Sequence, residues 1–182
     1  MKGFNNDTER EEFSIFKKFF LDHGRCKEMK KKEYFAEQGI VTTHAAYVEK
    51  GMFRYVCTDE NGCEHIVGYA FAGEYVGDYP QCIKKEKAIV SIQATTDSLI
   101  YYASAQEITN FFSTDKSTQE LEKILAEELF VQTYKRLLDI YCKTPTELYV
   151  DLVRRYPDFL NYITLREIAS FLRVTPETIS HI

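Results

Sequence analysis

The feature that most constrains the fold is a series of short apolar runs within residues 31–103, each bounded by turn-forming residues. The runs read HAAYVEKG, MFRYVCT, CEHIVGYAFAGEYVG, AIVSIQAT and DSLIYYA. Such runs, rich in Val, Ile, Tyr and Phe, are typical of β-strands, and several at close spacing are typical of an antiparallel roll or sandwich. Asn61 and Gly62 indicate a hairpin turn, because Asn-Gly readily adopts positive φ angles. The region therefore predicts an all-β unit.

Helical periodicity flanks this unit on both sides. Residues 9–29 place apolar side chains at three- and four-residue steps, as an amphipathic helix does, and Asp-His-Gly supplies a stop signal. Residues 104–112 predict a short helix, and residues 117–142 predict a long one. Ser117 and Glu120 have the spacing of a capping box at the start of the long helix.

The long helix has a wider apolar arc than one neighbouring surface needs. One face of its helical wheel contains Ile124, Glu127, Val131, Tyr134, Leu138 and Tyr141. An adjoining face contains Ala126, Leu129, Phe130, Thr133, Leu137 and Ile140. A helix that packs both on its own domain and on a second copy would use the full arc, so the first face is the predicted dimer interface. Burial within a single chain is the alternative.

The C-terminal segment, residues 143–182, ends with the pattern of two short helices joined by a tight turn. Thr164 is a predicted N-cap with Glu167 at the capping-box position, and Leu165, Ile168, Ala169 and Leu172 form the predicted buried stripe. Thr175 and Pro176 predict the start of the second helix, because proline is well suited to a first helical position. Two such helices are typical of a helix-turn-helix, whose second helix enters the DNA major groove.

Polar side chains on this segment are candidate DNA contacts, since hydroxyl, carboxylate, imidazole and guanidinium groups reach bases or phosphates. They are Thr164, Arg166, Thr175, Glu177, Thr178, Ser180 and His181. The segment balances five basic against five acidic residues, whereas the whole chain carries a formal net charge of −5. An ordinary helical hairpin with a solvated face is the alternative interpretation.

Composition argues against several other classes of protein. No apolar run approaches the roughly 20 residues needed to cross a membrane, and the N-terminus lacks a signal-peptide pattern, so we expect a cytoplasmic protein with no membrane partner. Four histidines and five cysteines without metal-ligand spacing predict no metal and no cofactor. A redox pair of Cys57 and Cys63 is an alternative to reduced thiols. The absence of a nucleophile–base pair or phosphate loop predicts that the chain is not an enzyme.

Over essentially its full length the chain resembles the Crp/Fnr superfamily of transcription regulators. The stretch REIASFLRVTPETISHI resembles the family's DNA-binding signature, and PTELYVDLVRRYPDFLNYITLREIASFLRVTPETIS is similar to the branch common in Bacteroidetes. Glycines in VEKGMFRYV and FAGEYVGDYP fall where the family has strand turns and the start of its phosphate cassette.

The resemblance implies an α+β fold: an N-terminal antiparallel β-roll, of the double-stranded β-helix or jelly-roll kind, flanked by helices. A long dimerisation helix and a winged-helix-type helix-turn-helix follow. It implies three units, an effector-sensing domain over residues 1–116, the dimerisation helix over 117–142, and a DNA-binding domain over 143–182. Family members continue into a β-wing, so we expect the chain to continue past the second helix.

The predicted effector pocket departs from that of cyclic-AMP-binding members. Those members carry Gly-Glu and a later Arg-Ser pair, whereas this chain has Gly77-Asp78 and Lys87-Ala88 and no arginine in the cassette. Lysine is a poor substitute where planar bidentate geometry is needed, so we expect an effector other than cyclic AMP. The resemblance points to a pocket formed by Tyr75, Gly77, Asp78, Tyr79, Lys87 and Ala88, and a filled roll without ligand is the alternative. An iron–sulfur sensor is not expected, since the N-terminal cysteine cluster is missing.

The resemblance implies a sequence-specific, homodimeric regulator of a near-palindromic double-stranded DNA operator. A small-molecule effector in the roll would control it, and RNA polymerase would be a further partner. The alternative is a ligand-binding or interaction module of the same fold that no longer binds DNA.

Overall fold

The computed structural model describes residues 11–155 and 159–181. Its helices are α1 (Glu11–His23), α2 (Tyr79–Lys84), α3 (Ala105–Phe112), α4 (Lys116–Cys142), α5 (Pro145–Arg155), α6 (Leu165–Leu172) and α7 (Pro176–Ser180), with one 3-10 turn at Phe159–Asn161. Its strands are β1 (Arg25–Met29), β2 (Tyr34–Ala36), β3 (His44–Lys50), β4 (Met52–Thr58), β5 (Glu64–Phe71), β6 (Tyr75–Val76), β7 (Ser91–Ala94) and β8 (Ser98–Ser104).

The strands form two four-stranded antiparallel sheets. Sheet A has the order β1-β8-β3-β6, and sheet B has the order β2-β7-β4-β5. Apolar side chains from both sheets form one core, which includes Met29, Val48, Phe53, Ile92 and Ile100. The prediction of antiparallel strands followed by a long helix is confirmed.

Helices cover the outer faces of both sheets. The outer face of sheet A packs against α1, α3 and the first turns of α4, through a cluster that includes Phe16, Phe20, Tyr47, Ile108 and Phe112. The outer face of sheet B packs against the C-terminal helices, through a cluster that includes Met52, Val56, Ile66, Ile168 and Phe171. Strand β4 therefore buries apolar side chains on both of its faces.

Polar contacts fix α6 on sheet B. Arg54 on β4 donates through Nη1 to Glu167 Oε1 at 2.8 Å, and the two side chains are 23% and 19% exposed. Arg54 also donates from Nε and Nη2 to Gln93 Oε1 at 3.0 and 2.7 Å. The backbone N–H of Ile66 donates to Ser170 Oγ at 2.9 Å. Side chains of α6 thus contact both β4 and β5.

Strand β5 contains a bulge at its contact with α4. Tyr55 and Val56 are consecutive on β4 but pair with Gly68 and Ile66, so Val67 is the extra residue. Arg136 on α4 donates to the carbonyl oxygen of Val67. Because β5 is the outer strand of sheet B, this bond satisfies a backbone acceptor that no neighbouring strand reaches.

The predicted N-terminal helix is shorter than its apolar periodicity indicated. Helix α1 ends at His23, where the N–H of Gly24 donates to the carbonyl of Phe20 at 2.8 Å. Residues Arg25–Met29 form strand β1, paired with β8, so the helical prediction for this part is wrong. Pairing with a sheet edge overrides the helical periodicity of this segment.

The predicted cap of the long helix is also wrong. Helix α4 begins at Lys116, and Asp115 is its N-cap: Asp115 Oδ1 accepts the N–H of Thr118 at 2.9 Å. The Thr118 hydroxyl completes the capping box by accepting the N–H of Asp115 at 3.2 Å. Asp115 precedes Ser117 along the chain, and its carboxylate is a strong acceptor for helix N–H groups, so the helix starts earlier than predicted.

The predicted caps of the last two helices are confirmed. Thr164 accepts the N–H of Glu167, whose carboxylate in turn accepts the N–H of Thr164, and Thr175 accepts the N–H of Thr178. The buried stripe of α6 is correct at Ile168, Ala169 and Leu172. It is wrong at Leu165, which is 49% exposed.

Glycine 51 gives a test of the turn between β3 and β4. Gly51 has φ +101°, and a Cβ there would lie 2.1 Å from Ser98 Oγ, whereas Gly39 has φ +84° and nothing within 4 Å of its Cβ position. We expect Gly39→Ala to cost about 1–3 kcal/mol of unfolding free energy from backbone strain. Gly51→Ala should lose a further amount of about 1–3 kcal/mol from overpacking. Urea unfolding measures both, and equal losses would contradict the close approach of Ser98.

The ion pair of Arg54 gives a test of how α6 is held. We expect Arg54→Met to lower the unfolding free energy by about 1–3 kcal/mol, because partly buried partners lose charge-assisted hydrogen bonds. Arg25→Met is the control, since it removes an ion pair with Glu107 whose arginine side chain is 54% exposed, and such pairs are worth under about 1 kcal/mol. Chemical denaturation of both variants measures the difference. A loss for Arg54→Met no larger than that of the control would show that this contact does not hold α6.

Candidate functional site

A cavity of about 760 Å³ lies where the roll, the long helix and the C-terminal helices meet. Residues of strands β5 and β6 and of helices α1, α3 and α4 line it, as do Phe171 and Leu172 of α6. A volume of this size is in the range that holds a small organic molecule. The cavity therefore joins the sheet domain to both helical elements that follow it.

One part of the cavity is lined by aromatic and aliphatic side chains. These are Phe13, Phe16, Phe20, Ile108, Phe112 and Leu125, from α1, α3 and α4. The rings contact one another: the centroids of Phe16 and Tyr75 are 4.9 Å apart, and those of Phe16 and Phe112 are 5.1 Å apart. This part of the cavity favours an apolar group.

Four tyrosines also line the cavity, and burial raises the pKa of each hydroxyl: Tyr55, Tyr69, Tyr75 and Tyr79. The Tyr75 hydroxyl donates to the Phe13 carbonyl at 3.1 Å, and the Tyr55 hydroxyl accepts the N–H of Gly77 at 3.3 Å. The Tyr79 hydroxyl donates to Glu122 Oε1 at 3.2 Å, and this carboxylate adds to the rise in its pKa. At neutral pH these phenols are protonated and are therefore hydrogen-bond donors.

Charged side chains lie mainly on the α4 wall. Burial lowers the pKa of Arg136 to about 10, so its guanidinium remains positive at neutral pH. The Nζ atom of Lys143 lies 2.8 Å from Asp139 Oδ1 and 2.9 Å from Asp151 Oδ2. Hydrogen bonds to these carboxylates raise the pKa of Lys143. The charge of Lys143 is thus already compensated by the protein.

The structure brings together only part of the predicted effector set. Tyr75, Gly77 and Tyr79 line the cavity. The structure places Asp78, Lys87 and Ala88 outside the lining.

Contacts within the cassette explain this division. The buried Asp78 accepts the N–H of Ile89 through Oδ2 at 2.8 Å, and the N–H of the buried Ala88 donates to the Ile40 carbonyl at 2.8 Å. Lys87 is exposed and forms an isolated bridge with Val41. Asp78 and Ala88 therefore hold the loop together.

Sequence reasoning missed Arg136, Glu122 and Phe171 as cavity residues. Arg136 is polar, and faces of the long helix were assigned by their apolar content. A weak signal was present, because Gln132, Arg136 and Asp139 follow one another at helical spacing and all line the cavity.

The predicted dimer face of α4 is largely uncovered. Among the residues of this helix only Thr118 and Leu121 are buried. On the predicted face, Val131, Tyr134, Leu138 and Tyr141 are exposed, with Tyr141 at 81%, whereas Ile124 is partly buried and Glu127 is exposed and pairs with Lys123. The adjoining face exposes Leu129, Phe130 and Leu137.

The predicted DNA contacts lie at the surface of the last two helices. Arg166, Glu177, Ser180 and His181 are exposed, as are the capping residues Thr164 and Thr175, and Thr178 is partly buried. The Ser180 hydroxyl donates to the Pro176 carbonyl at 3.1 Å. The pKa of Glu177 is lowered by hydrogen bonds from its own N–H and from Thr175. Glu177 is therefore an ionised acceptor at neutral pH.

Other features bear on the alternatives. Cys57 and Cys63 are free thiols, and Cys63 is exposed. No set of three or more His, Cys, Asp or Glu residues is placed to bind a metal ion within residues 11–155 and 159–181. None of the helices in that part of the chain has the length and apolar character needed to span a membrane.

Comparison with known proteins gives a family match for the roll. Residues 26–115 match the family described as the cyclic nucleotide-binding domain. A search of curated proteins found no match.

Solved structures share the fold at low sequence identity. The c-di-GMP-responsive global regulator CLP of Xanthomonas campestris is 17% identical with a TM-score of 0.66, over 92% of this chain and 88% of that chain. FixK2 of Bradyrhizobium japonicum is 17% identical with a TM-score of 0.68, over 87% and 81%. A protein of Eubacterium rectale described as a Crp/Fnr-family transcriptional regulator is 17% identical with a TM-score of 0.70, over 92% and 80%. The family match thus covers residues 26–115, and these solved structures show that the chain shares their fold.

Proposed function

We propose that this protein is a sequence-specific DNA-binding transcription regulator of the Crp/Fnr type, a homodimer controlled by a small-molecule effector. One observation carries the proposal: a single cavity is lined by the roll, by α4 and by α6. A ligand in this cavity would contact the sensing domain, the proposed dimerisation helix and the proposed DNA-binding unit at once. The three units are residues 1–116, 117–142 and 143–182.

The mechanism is a shift between two arrangements of the C-terminal helices. A ligand shifts such an equilibrium only if it binds one arrangement more tightly than the other. Since Phe171 and Leu172 form part of the cavity wall, movement of α6 changes the wall itself. Binding affinity and helix position are therefore linked.

The cassette supports an effector other than cyclic AMP. Asp78 is committed to the N–H of Ile89, and Lys87 lies at the surface outside the cavity. Neither side chain is placed to hold a cyclic phosphate in this cavity. The effector is instead a molecule that the aromatic and phenolic lining accepts.

DNA contact is assigned to α7 and the first turn of α6. Glu177 accepts a hydrogen bond from cytosine N4 in this proposal, Ser180 and His181 contact base edges, and Arg166 contacts phosphate. Paired copies of α7 would enter successive major grooves about 34 Å apart on a near-palindromic site. RNA polymerase is a further proposed partner of the bound dimer.

A module without DNA binding is the second candidate. Residues 143–182 carry five basic and five acidic side chains, so this segment supplies no net positive charge for phosphates.

Selection of the protein on a randomised DNA duplex library distinguishes the regulator from the module without DNA binding. Recovery of a symmetric motif supports the regulator, and weak, salt-sensitive binding without a motif supports the module.

Base readout by Glu177 is testable on the selected motif. We expect Glu177→Ala to reduce discrimination at one base-pair position in each half-site by about 1–3 kcal/mol, because the carboxylate acceptor is lost. Glu60→Ala is the control, since Glu60 is an exposed acid in the β4–β5 turn. Relative affinities across a panel of operator variants measure the effect. Unchanged preferences in Glu177→Ala would remove this residue as a reader.

Dimerisation through α4 is testable by sedimentation. We expect the wild-type protein to sediment with about twice the 21.3 kDa chain mass, and Leu138→Glu to sediment as a monomer. A carboxylate buried in the proposed interface lacks a partner and opposes association. Ile40→Glu is the control, because Ile40 is 62% exposed but lies on the roll. A monomeric wild type, or a dimeric Leu138→Glu variant, contradicts the assignment.

A further inference from the structure

Arg136 has an unusual environment for an arginine on a long helix. Its side chain is partly buried against β5 and α6, its Nη1 donates to the Val67 carbonyl, and its guanidinium carbon lies 4.1 Å from the centroid of the Phe171 ring. No carboxylate within residues 11–155 and 159–181 forms an ion pair with it. Arg136 is thus a cation at the cavity that forms no ion pair with a carboxylate of the described residues.

Removing such a cation from water costs free energy unless an anion or further hydrogen-bond acceptors compensate it. A guanidinium has five N–H donors in a fixed fork, and the Val67 carbonyl uses one nitrogen. A carboxylate or sulfonate matches the geometry of the remaining donors. Because Arg136 lines the cavity, a bound ligand can supply that group.

The other charges of the cavity limit the ligand to a low negative charge. Lys143 is compensated by Asp139 and Asp151, and Glu122 lies on the same wall with the Tyr79 hydroxyl bound to it. Lys135 also lines the cavity, but its side chain is exposed, whereas that of Arg136 is partly buried. A polyanion would face the carboxylates of this wall, whereas a monoanion can pair with Arg136.

The remaining walls determine the body of the ligand. Phe16, Phe20 and Phe112 form an aromatic lining away from Arg136, and Leu125 and Leu129 add aliphatic surface. Rings pack favourably against such a lining in offset or edge-to-face arrangements. The phenols of Tyr55 and Tyr75 add polar groups to the lining but supply no positive charge.

We propose that the cavity takes an aromatic monoanion, with its carboxylate or sulfonate on Arg136 and its rings against the phenylalanines. This inference rests on the proposed effector-sensing function and specifies its ligand class. The cation comes from the long helix and not from the cassette. Because the same guanidinium stacks on Phe171 of α6, the bound anion would lie next to a contact between α4 and α6.

Two probes of matched shape test the ligand class on the whole chain. The anionic probe is 1-anilinonaphthalene-8-sulfonate, and the neutral probe is N-phenyl-1-naphthylamine, which has the same ring system without the sulfonate. We expect the wild type to bind the anionic probe more tightly in fluorescence titrations. Equal or tighter binding of the neutral probe would overturn the proposal without any variant.

Variants then assign the charge to Arg136. We expect Arg136→Gln to weaken the anionic probe about tenfold or more, as loss of a charge-assisted hydrogen bond does, and to leave the neutral probe unchanged. Arg136→Lys should retain part of the affinity, and Lys27→Gln, which removes an exposed cation on β1, should retain all of it. An unchanged affinity of Arg136→Gln for the sulfonate would contradict the proposal, as would an equal loss of both probes in a variant with native circular dichroism.

The titrations contain no DNA, so their outcome is separate from that of the proposed function. An Arg136→Gln variant that binds the sulfonate normally removes the ligand class and leaves DNA binding standing. Failure of the duplex selection removes the regulator and leaves the ligand site standing.

Discussion

The outer strand β5 depends on helices that come much later in the chain. Its Ile66 N–H donates to Ser170 on α6, and its bulged residue Val67 accepts from Arg136 on α4. An uncovered strand edge is open to unwanted pairing, and unpaired backbone groups away from water are costly. Met52 on the neighbouring strand β4 adds an apolar contact to the same region. The edge of sheet B is therefore satisfied only when α4 and α6 are both in place.

This dependence explains why one cavity is shared by three parts of the molecule. Arg136 on α4 contacts both β5 and Phe171 of α6. Movement of either helix therefore changes the contact between the two helices. The apolar face of α4 is exposed, and in the proposed dimer it would pack against a second copy. A ligand, a second copy and DNA would thus act on the same small set of contacts.

Local signals predicted much of the fold. The roll and the caps at Thr164 and Thr175 follow from periodicity and from residues within one helical turn. Errors arose where two local signals competed, as at Asp115 and Ser117, or where sheet pairing replaced a helix in Arg25–Met29. The position of Arg136 at the cavity could not be predicted from local signals, because it depends on the β5 bulge and on α6, which are distant from Arg136 in sequence.

Hydrogen exchange of the Ile66 amide, followed by NMR in the protein without DNA or effector, tests the docked arrangement most directly. This N–H lies at the outer edge of sheet B and donates to a side chain of α6. Our account predicts slow exchange at Ile66 that becomes faster in Ser170→Ala, while Phe53 at the centre of the roll stays protected. Exchange at Ile66 as fast as that of an exposed amide, and unaffected by the substitution, would contradict the account, because the C-terminal helices would not rest on the roll.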